Sequence, residues 1–193
     1  MMKPSAFDTF RLRDILQGRV QVLLLKSSPG KIFQKGGREF PDLEVDQEVV
    51  PDSQNTKAVN VGVLLASLFM AVPGRAITHL SVGAGPGAYD IGSPPTIVSN
   101  TRLVSEVSRV PLLFTNYVDG SGNPTLENTN TVDLNFQFGF SDAVATLREM
   151  GLFGGVGADI TNGGLITNYK VFTPFVKPSD RIMFVTWRLR FNI

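Results

Sequence analysis

The clearest signal in the chain is a period of two. Val132, Leu134, Phe136, Phe138 and Phe140 are apolar, and Asp133, Asn135, Gln137 and Gly139 lie between them. Such alternation sends one row of side chains to a packed face and the other to water, so it predicts a half-buried strand. The C-terminus repeats it: Met183, Val185, Trp187, Leu189, Phe191 and Ile193 share one face, and Thr186, Arg188, Arg190 and Asn192 the other. Leu165–Tyr169 and Val171–Val176 supply further strands between these two. Upstream, Ala76–Val82 alternates as a short strand before a Gly/Pro loop reaching about Pro95. Ser105–Leu113 reads as a strand or short helix, with Pro111 confining any pairing to an edge. Near the start, Val20, Val22 and Leu24, the turn SSPGK and Ile32-Phe33 read as a small hairpin. Lys57–Ala71 carries Val61, Leu64, Leu65, Leu68 and Phe69 at helical spacing and predicts a helix; Val59, Val61 and Val63 leave a buried strand as the alternative.

Strands without helices of 10–15 residues between them predict a mainly β protein: an antiparallel β-sandwich, jelly-roll-like, with one short helix. One-sided alternation argues against a parallel sheet covered on both faces. Phe136, Phe138, Trp187 and Phe191 are the expected core. The longest apolar run, residues 59–72, is short of the roughly twenty residues a membrane-spanning helix needs. The N-terminus carries charge where a secretory signal needs an apolar stretch, which predicts synthesis in a cytoplasm and no membrane partner.

Composition narrows the chemistry. The 193 residues include no cysteine and a single histidine. Disulfide scaffolds, thiolate nucleophiles, iron–sulfur clusters and multi-histidine metal sites are excluded, and no cofactor is expected. The formal net charge of +1 conceals a division. Residues 1–40 hold eight basic side chains against three acidic ones, and residues 41–60 hold five acidic against Lys57 alone. This predicts two parts: residues 1–56 as a basic docking arm with a possible hairpin and an acidic linker, and 57–193 as the β-sandwich domain. Arg11, Arg13, Arg19, Lys31, Lys35 and Arg38 are the candidate docking residues. They lack the stacked aromatics or recognition helix of a nucleic-acid site, so nucleic acid is not expected as the main partner; docking on an acidic protein surface is the functional reading, and exposed charge with no partner stands beside it as the alternative.

Three other patterns carry candidate chemistry. Gly83-Ala84-Gly85-Pro86-Gly87-Ala88 matches a dinucleotide fingerprint, but Pro86 and the following Tyr-Asp-Ile-Gly-Ser-Pro-Pro forbid the helix that would hold a pyrophosphate, so a loop is expected. His79 has no nucleophile or second ligand near it in sequence and reads as a structural, hydrogen-bonded histidine. Asp133 and Asp142 are the nearest approach to a catalytic carboxylate pair, with solvated strand and turn carboxylates as the stronger reading.

From Asn60 on, the order of elements resembles a family of small β-sandwich virion proteins of tailed bacteriophages: tail, fibre, neck and capsid-surface subunits. The residues that carry the resemblance are Val59-Asn60-Val61-Gly62, Ile77–Gly83 with the Gly/Pro loop after it, and Arg102–Arg109. Leu147-Arg148-Glu149-Met150-Gly151-Leu152-Phe153, Phe172–Lys177 and the closing Val185-Thr186-Trp187-Arg188-Leu189-Arg190-Phe191 complete them. The first 56 residues lie outside it. The resemblance implies a non-enzymatic structural subunit located in the virion, with other virion proteins as partners and a symmetric homo-oligomer, a trimer, as the assembly. Capsid decoration is one alternative. A carbohydrate-binding or host-recognition module of the tail is another, and would place Tyr89, Tyr117 and Tyr169 exposed in loops.

Overall fold

A computed structural model describes residues 16–54, 56–57, 76–91 and 102–191. Eleven strands follow in order: β1 (Leu16–Lys35), β2 (Arg38–Gln54), β3 (Thr56–Lys57), β4 (Ile77–Gly83), β5 (Glu106–Pro111), β6 (Phe114–Val118), β7 (Pro124–Thr125), β8 (Thr131–Phe138), β9 (Ala145–Gly154), β10 (Leu165–Lys177) and β11 (Ile182–Phe191). They form two antiparallel sheets. The first, sheet A, runs β2-β1-β11-β8-β6-β7, and the second, sheet B, runs β3-β10-β9-β4-β5. The pairings nest along the chain, β1 with β11, β3 with β10, β4 with β9 and β6 with β8. The expected helix lies, beyond Lys57, outside the described residues.

The alternating residues build one core from both sheets. Val20, Val22, Leu24, Leu134, Phe136, Phe138, Val185 and Trp187 come from sheet A, and Leu80, Val82, Leu147, Met150, Leu152 and Phe172 from sheet B. Phe136, Phe138 and Trp187 are fully buried; Phe191 packs partly buried against them. Pro111 closes β5 at the edge of its sheet, where a missing N–H breaks no ladder.

The first described residues are not an arm. β1 pairs with β11 without a break from Leu16↔Phe191 to Leu25↔Ile182, so this segment is the neighbour of the C-terminal strand within the sheet. The acidic stretch read as a linker is strand β2. Its carboxylates line a sheet edge, where Glu44 meets Lys26 at 3.1 Å and Asp46 meets Arg181 at 2.9 Å, and charge on an edge opposes pairing with a stray strand.

The second face of sheet A, expected to be wet, is largely covered. The β1–β2 ladder breaks between Ser27↔Leu43 and Ile32↔Pro41, with Gly30 at φ 78° and Asp42 at φ 56°. The Gly30 N–H donates to the Asp42 carboxylate at 2.8 Å across this corner. Past it, the hairpin end folds back onto the sheet. Phe33 and Phe40 each sit 5.4 Å, centroid to centroid, from Phe184, near edge-on. They close a second apolar cluster with Leu23, Leu25, Phe114 and Ile182. The tip turns at Gly36, φ 57°, where a Cβ would stand 2.6 Å from the Phe114 ring, so glycine serves both the turn and the contact.

Candidate functional site

Along sheet A, the face opposite the shared core changes character. It is apolar beneath the folded hairpin, then neutral and polar, then charged. In the middle, Thr186 donates to Asn135 at 3.0 Å, Asn135 to Asn116 at 3.2 Å, and Lys35 reaches back to Gln21 at 2.6 Å. In the next row Arg19 stands directly across from Arg188, and Arg188 across from Asp133. Like charges opposite each other on a sheet repel. Asp133 offsets this by taking a bidentate pair from Arg188, at 2.8 and 2.9 Å.

Beyond that row lies a groove of about 650 Å³ whose walls include Arg19, Arg188 and Arg190. Its far wall is the turn after β6. There the Asp119 carboxylate accepts the Ser121 and Asn123 N–H groups, each at 2.9 Å, and the backbone bond from Asn123 leads in holding it below the usual carboxylate range. Thr129 donates within the adjoining loop, to Val118 O at 2.8 Å. A smaller hollow of about 200 Å³ beside it is lined by Arg19, Gln21, Lys35, Thr186 and Arg188. The two share Arg19 and Arg188, so they form one basic strip on fixed strands. Asp133 already takes the Arg188 fork, so the positive charge that suits a carboxylate or phosphate comes from Arg19, Lys35 and Arg190 beside it.

Of the predicted docking residues, the structure brings Arg19 and Lys35 together on this strip. Arg38 lies over the Phe114 ring, 4.4 Å from its centroid, where its charge meets an aromatic face. Lys31 is exposed at the corner of the hairpin. Arg11 and Arg13 lie outside the described residues. Arg188 and Arg190 complete the strip and were read only as a wet strand face. The signal was in the sequence: Arg19 and Gln21 two apart, and Thr186, Arg188 and Arg190 two apart, each give one face of a strand. Their union needs the β1–β11 register.

Other buried polar groups tie the scaffold together. Glu149, fully buried, accepts the Ser105 N–H at 2.8 Å, the Val104 N–H at 3.2 Å and the Tyr169 hydroxyl at 2.7 Å. Burial, then the Tyr89 and Glu149 contacts, push the Tyr169 phenol far up. Arg109 forks onto Glu106 with both bonds at 2.8 Å, donates to Ala158 O and Gly163 O, and lies 3.9 Å over the Phe153 ring. Lys177 donates to Gly139 O at 2.6 Å and Phe140 O at 2.7 Å, and its burial lowers its pKa.

The remaining sequence candidates fall in separate places. Asp133 is buried and ion-paired, not solvated. Asp142 lies in the turn past the end of β8, holding the Gly139 N–H at 2.8 Å. Five residues of extended strand, roughly 16 Å, already separate Asp133 from that end, more than a glycosidase pair spans. After Pro86 the glycine-rich loop forms a five-residue 3₁₀ turn, Gly87–Ile91, with Tyr89 turned inward. Tyr89 and Tyr169 are both buried with hydroxyls 3.3 Å apart, and Tyr117 alone of the three is exposed. Among the described residues no cluster of three or more metal-ligating side chains forms, and no helix is long and apolar enough to cross a membrane.

His79 Nδ1 lies 2.9 Å from the Thr78 hydroxyl. Burial, and then the Arg109 charge, hold its pKa below the ordinary 6.5. The unfolded chain therefore takes up this proton first as pH falls. Folding stability is lost as pH drops from 6.5 toward the lower folded value, then levels off. Replacing His79→Gln should flatten that part of the profile, read as urea midpoints at about pH 7.5 and about pH 5. Equal losses in the parent and the variant would show that His79 contributes none of it.

No protein-family model matches the chain, and no curated protein or solved structure matches it either.

Proposed function

We propose that the chain is a non-enzymatic structural subunit of a tailed-phage virion, a jelly-roll-like sandwich that docks acidic surfaces of neighbouring virion proteins on its basic strip. The observation that carries the reading is the convergence of Arg19, Lys35, Arg188 and Arg190 on one sheet face. The nested strand pairings support the jelly-roll-like description, because rolling a long hairpin pairs early strands with late ones. The resemblance at Leu147–Phe153 and Val185–Phe191 supports the virion assignment. A symmetric assembly such as a trimer would repeat the strip, multiplying a modest contact by effective concentration. The glycan-binding alternative loses support, since two of its three tyrosines are buried.

The test is charge reversal. Arg19→Glu together with Arg190→Glu alters two exposed side chains and should leave the fold intact, because surface changes usually cost within about 0.5 kcal/mol. Copy number of the variant in assembled particles should fall at least tenfold. Normal incorporation of a folded variant would overturn the reading.

A further inference from the structure

The end of the β1–β2 hairpin is a small unit of its own. Residues 32–41 keep their own register, Ile32↔Pro41 through Lys35↔Arg38, and the corner of residues 28–31 opposite Asp42 separates them from the ladder in the sheet. What the unit covers is equally separate. Phe33, Phe40 and Leu43 close a cluster with Leu23, Leu25, Phe114, Ile182 and Phe184 that is distinct from the core shared by the two sheets. The seat is also specific: Lys35 bonds Gln21, Gly36 abuts Phe114 and Asn116, and Arg38 covers the Phe114 ring.

The corner that makes this fold-back is locally unfavourable. Asp42 sits at φ 56°, a region a side chain rarely adopts, while Gly30 opposite it takes its left-handed turn at no steric cost, so the strain lies at Asp42. Straightening the corner would return Asp42 to extended backbone and carry the hairpin end away from its own sheet. An identical seat exists on any second copy, so every contact given up would be regained there. A strained hinge beside a self-contained element is the arrangement from which exchange between copies arises.

We infer that the hairpin end, residues 32–41, is an exchangeable arm whose second binding partner is the same seat on another copy of this chain. Exchange leaves the composition of each seat unchanged and joins two chains through it. Crowding of copies within an assembly favours the exchanged form by mass action, and dilution favours the self-docked form.

The chain has no cysteine, so introduced thiols are unique labels. Two differently tagged single variants, Gln21→Cys and Lys35→Cys, are mixed at high concentration, refolded together and treated with a short bismaleimide. Exchange joins unlike chains through positions 21 and 35, giving a covalent dimer whose linked peptides are identified by mass spectrometry. The double variant Gln21→Cys/Lys35→Cys reports the self-docked form as an internal link. If the double variant links only internally and the mixed sample gives no link between unlike chains, the inference is overturned. A second variant tests the hinge. Gly30→Val cannot hold φ 78°, so it should raise the dimer fraction at least fivefold; a monomer that keeps its internal 21–35 link would count against exchange.

Discussion

A chain that begins at residue 55 should not fold. Removing β1 and β2 takes away Val20, Val22, Leu23, Leu24, Leu25 and Val50, all buried, and uncovers the flank of β11 with Trp187 and Val185 on it. At about 1.5–3 kcal/mol for each large buried side chain the loss is about 10 kcal/mol or more. The whole stability of a domain is about 5–15 kcal/mol. The truncated chain should show no cooperative melting by circular dichroism and should bind a dye that reports exposed apolar surface. If residues 1–54 were an arm on an independent domain, the remainder would instead melt sharply near the parent's temperature. That outcome would also refute the β1–β11 pairing.

Glu149→Ala should be the most damaging single substitution at a polar position. The carboxylate answers three donors at once, two part-buried backbone N–H groups and the buried Tyr169 hydroxyl. Alanine takes this acceptor from all three; the Tyr169 hydroxyl keeps only its 3.3 Å contact with Tyr89. An unsatisfied buried group costs about 1–3 kcal/mol and the part-buried ones sit at the low end, so the loss is at least about 3 kcal/mol and the melting temperature should drop by at least about 6 °C. Glu149→Gln keeps one acceptor oxygen but aims an amide NH₂ at a donor, and should fall between parent and alanine. A Glu149→Ala protein that melts with the parent would mean water enters and restores the bonds. Tyr169→Phe removes only one of the three donors along with its partner bond, so its smaller loss calibrates the larger one.

Strands whose two faces meet different surroundings were legible in the sequence. β8 and β11 announced themselves through Phe136, Phe138, Val185 and Trp187, and β4 through a short alternation; β5 reads as either a strand or a short helix, with Pro111 marking the edge. β6 and β9 were not read as strands at all, and two further things were hidden. β2 reads as a linker because Asp42, Glu44, Asp46 and Glu48 dominate its composition, although they too fall at every second position; an edge strand can carry that charge and still pair. The fate of the second face of sheet A was hidden as well. Phe184 and Ile182 stand on the same strand face as Thr186, Arg188 and Arg190, and what covers them is a hairpin more than 140 residues earlier in the chain. The site followed the same rule. Basic residues near the start were visible as a group, but Arg19 meets Arg188 only through a pairing of the first described strand with the last.

That pairing also orders events in time. Val22 and Val185 face each other from roughly 160 residues apart, a separation that makes folding intrinsically slow. On a ribosome adding about 5–20 residues per second, β1 and β2 are out for about 6–26 seconds before β11 exists. During that interval the leucines at 23, 24 and 25 have no sheet to cover them, and the acidic edge of the same hairpin keeps neighbouring nascent chains apart until it arrives.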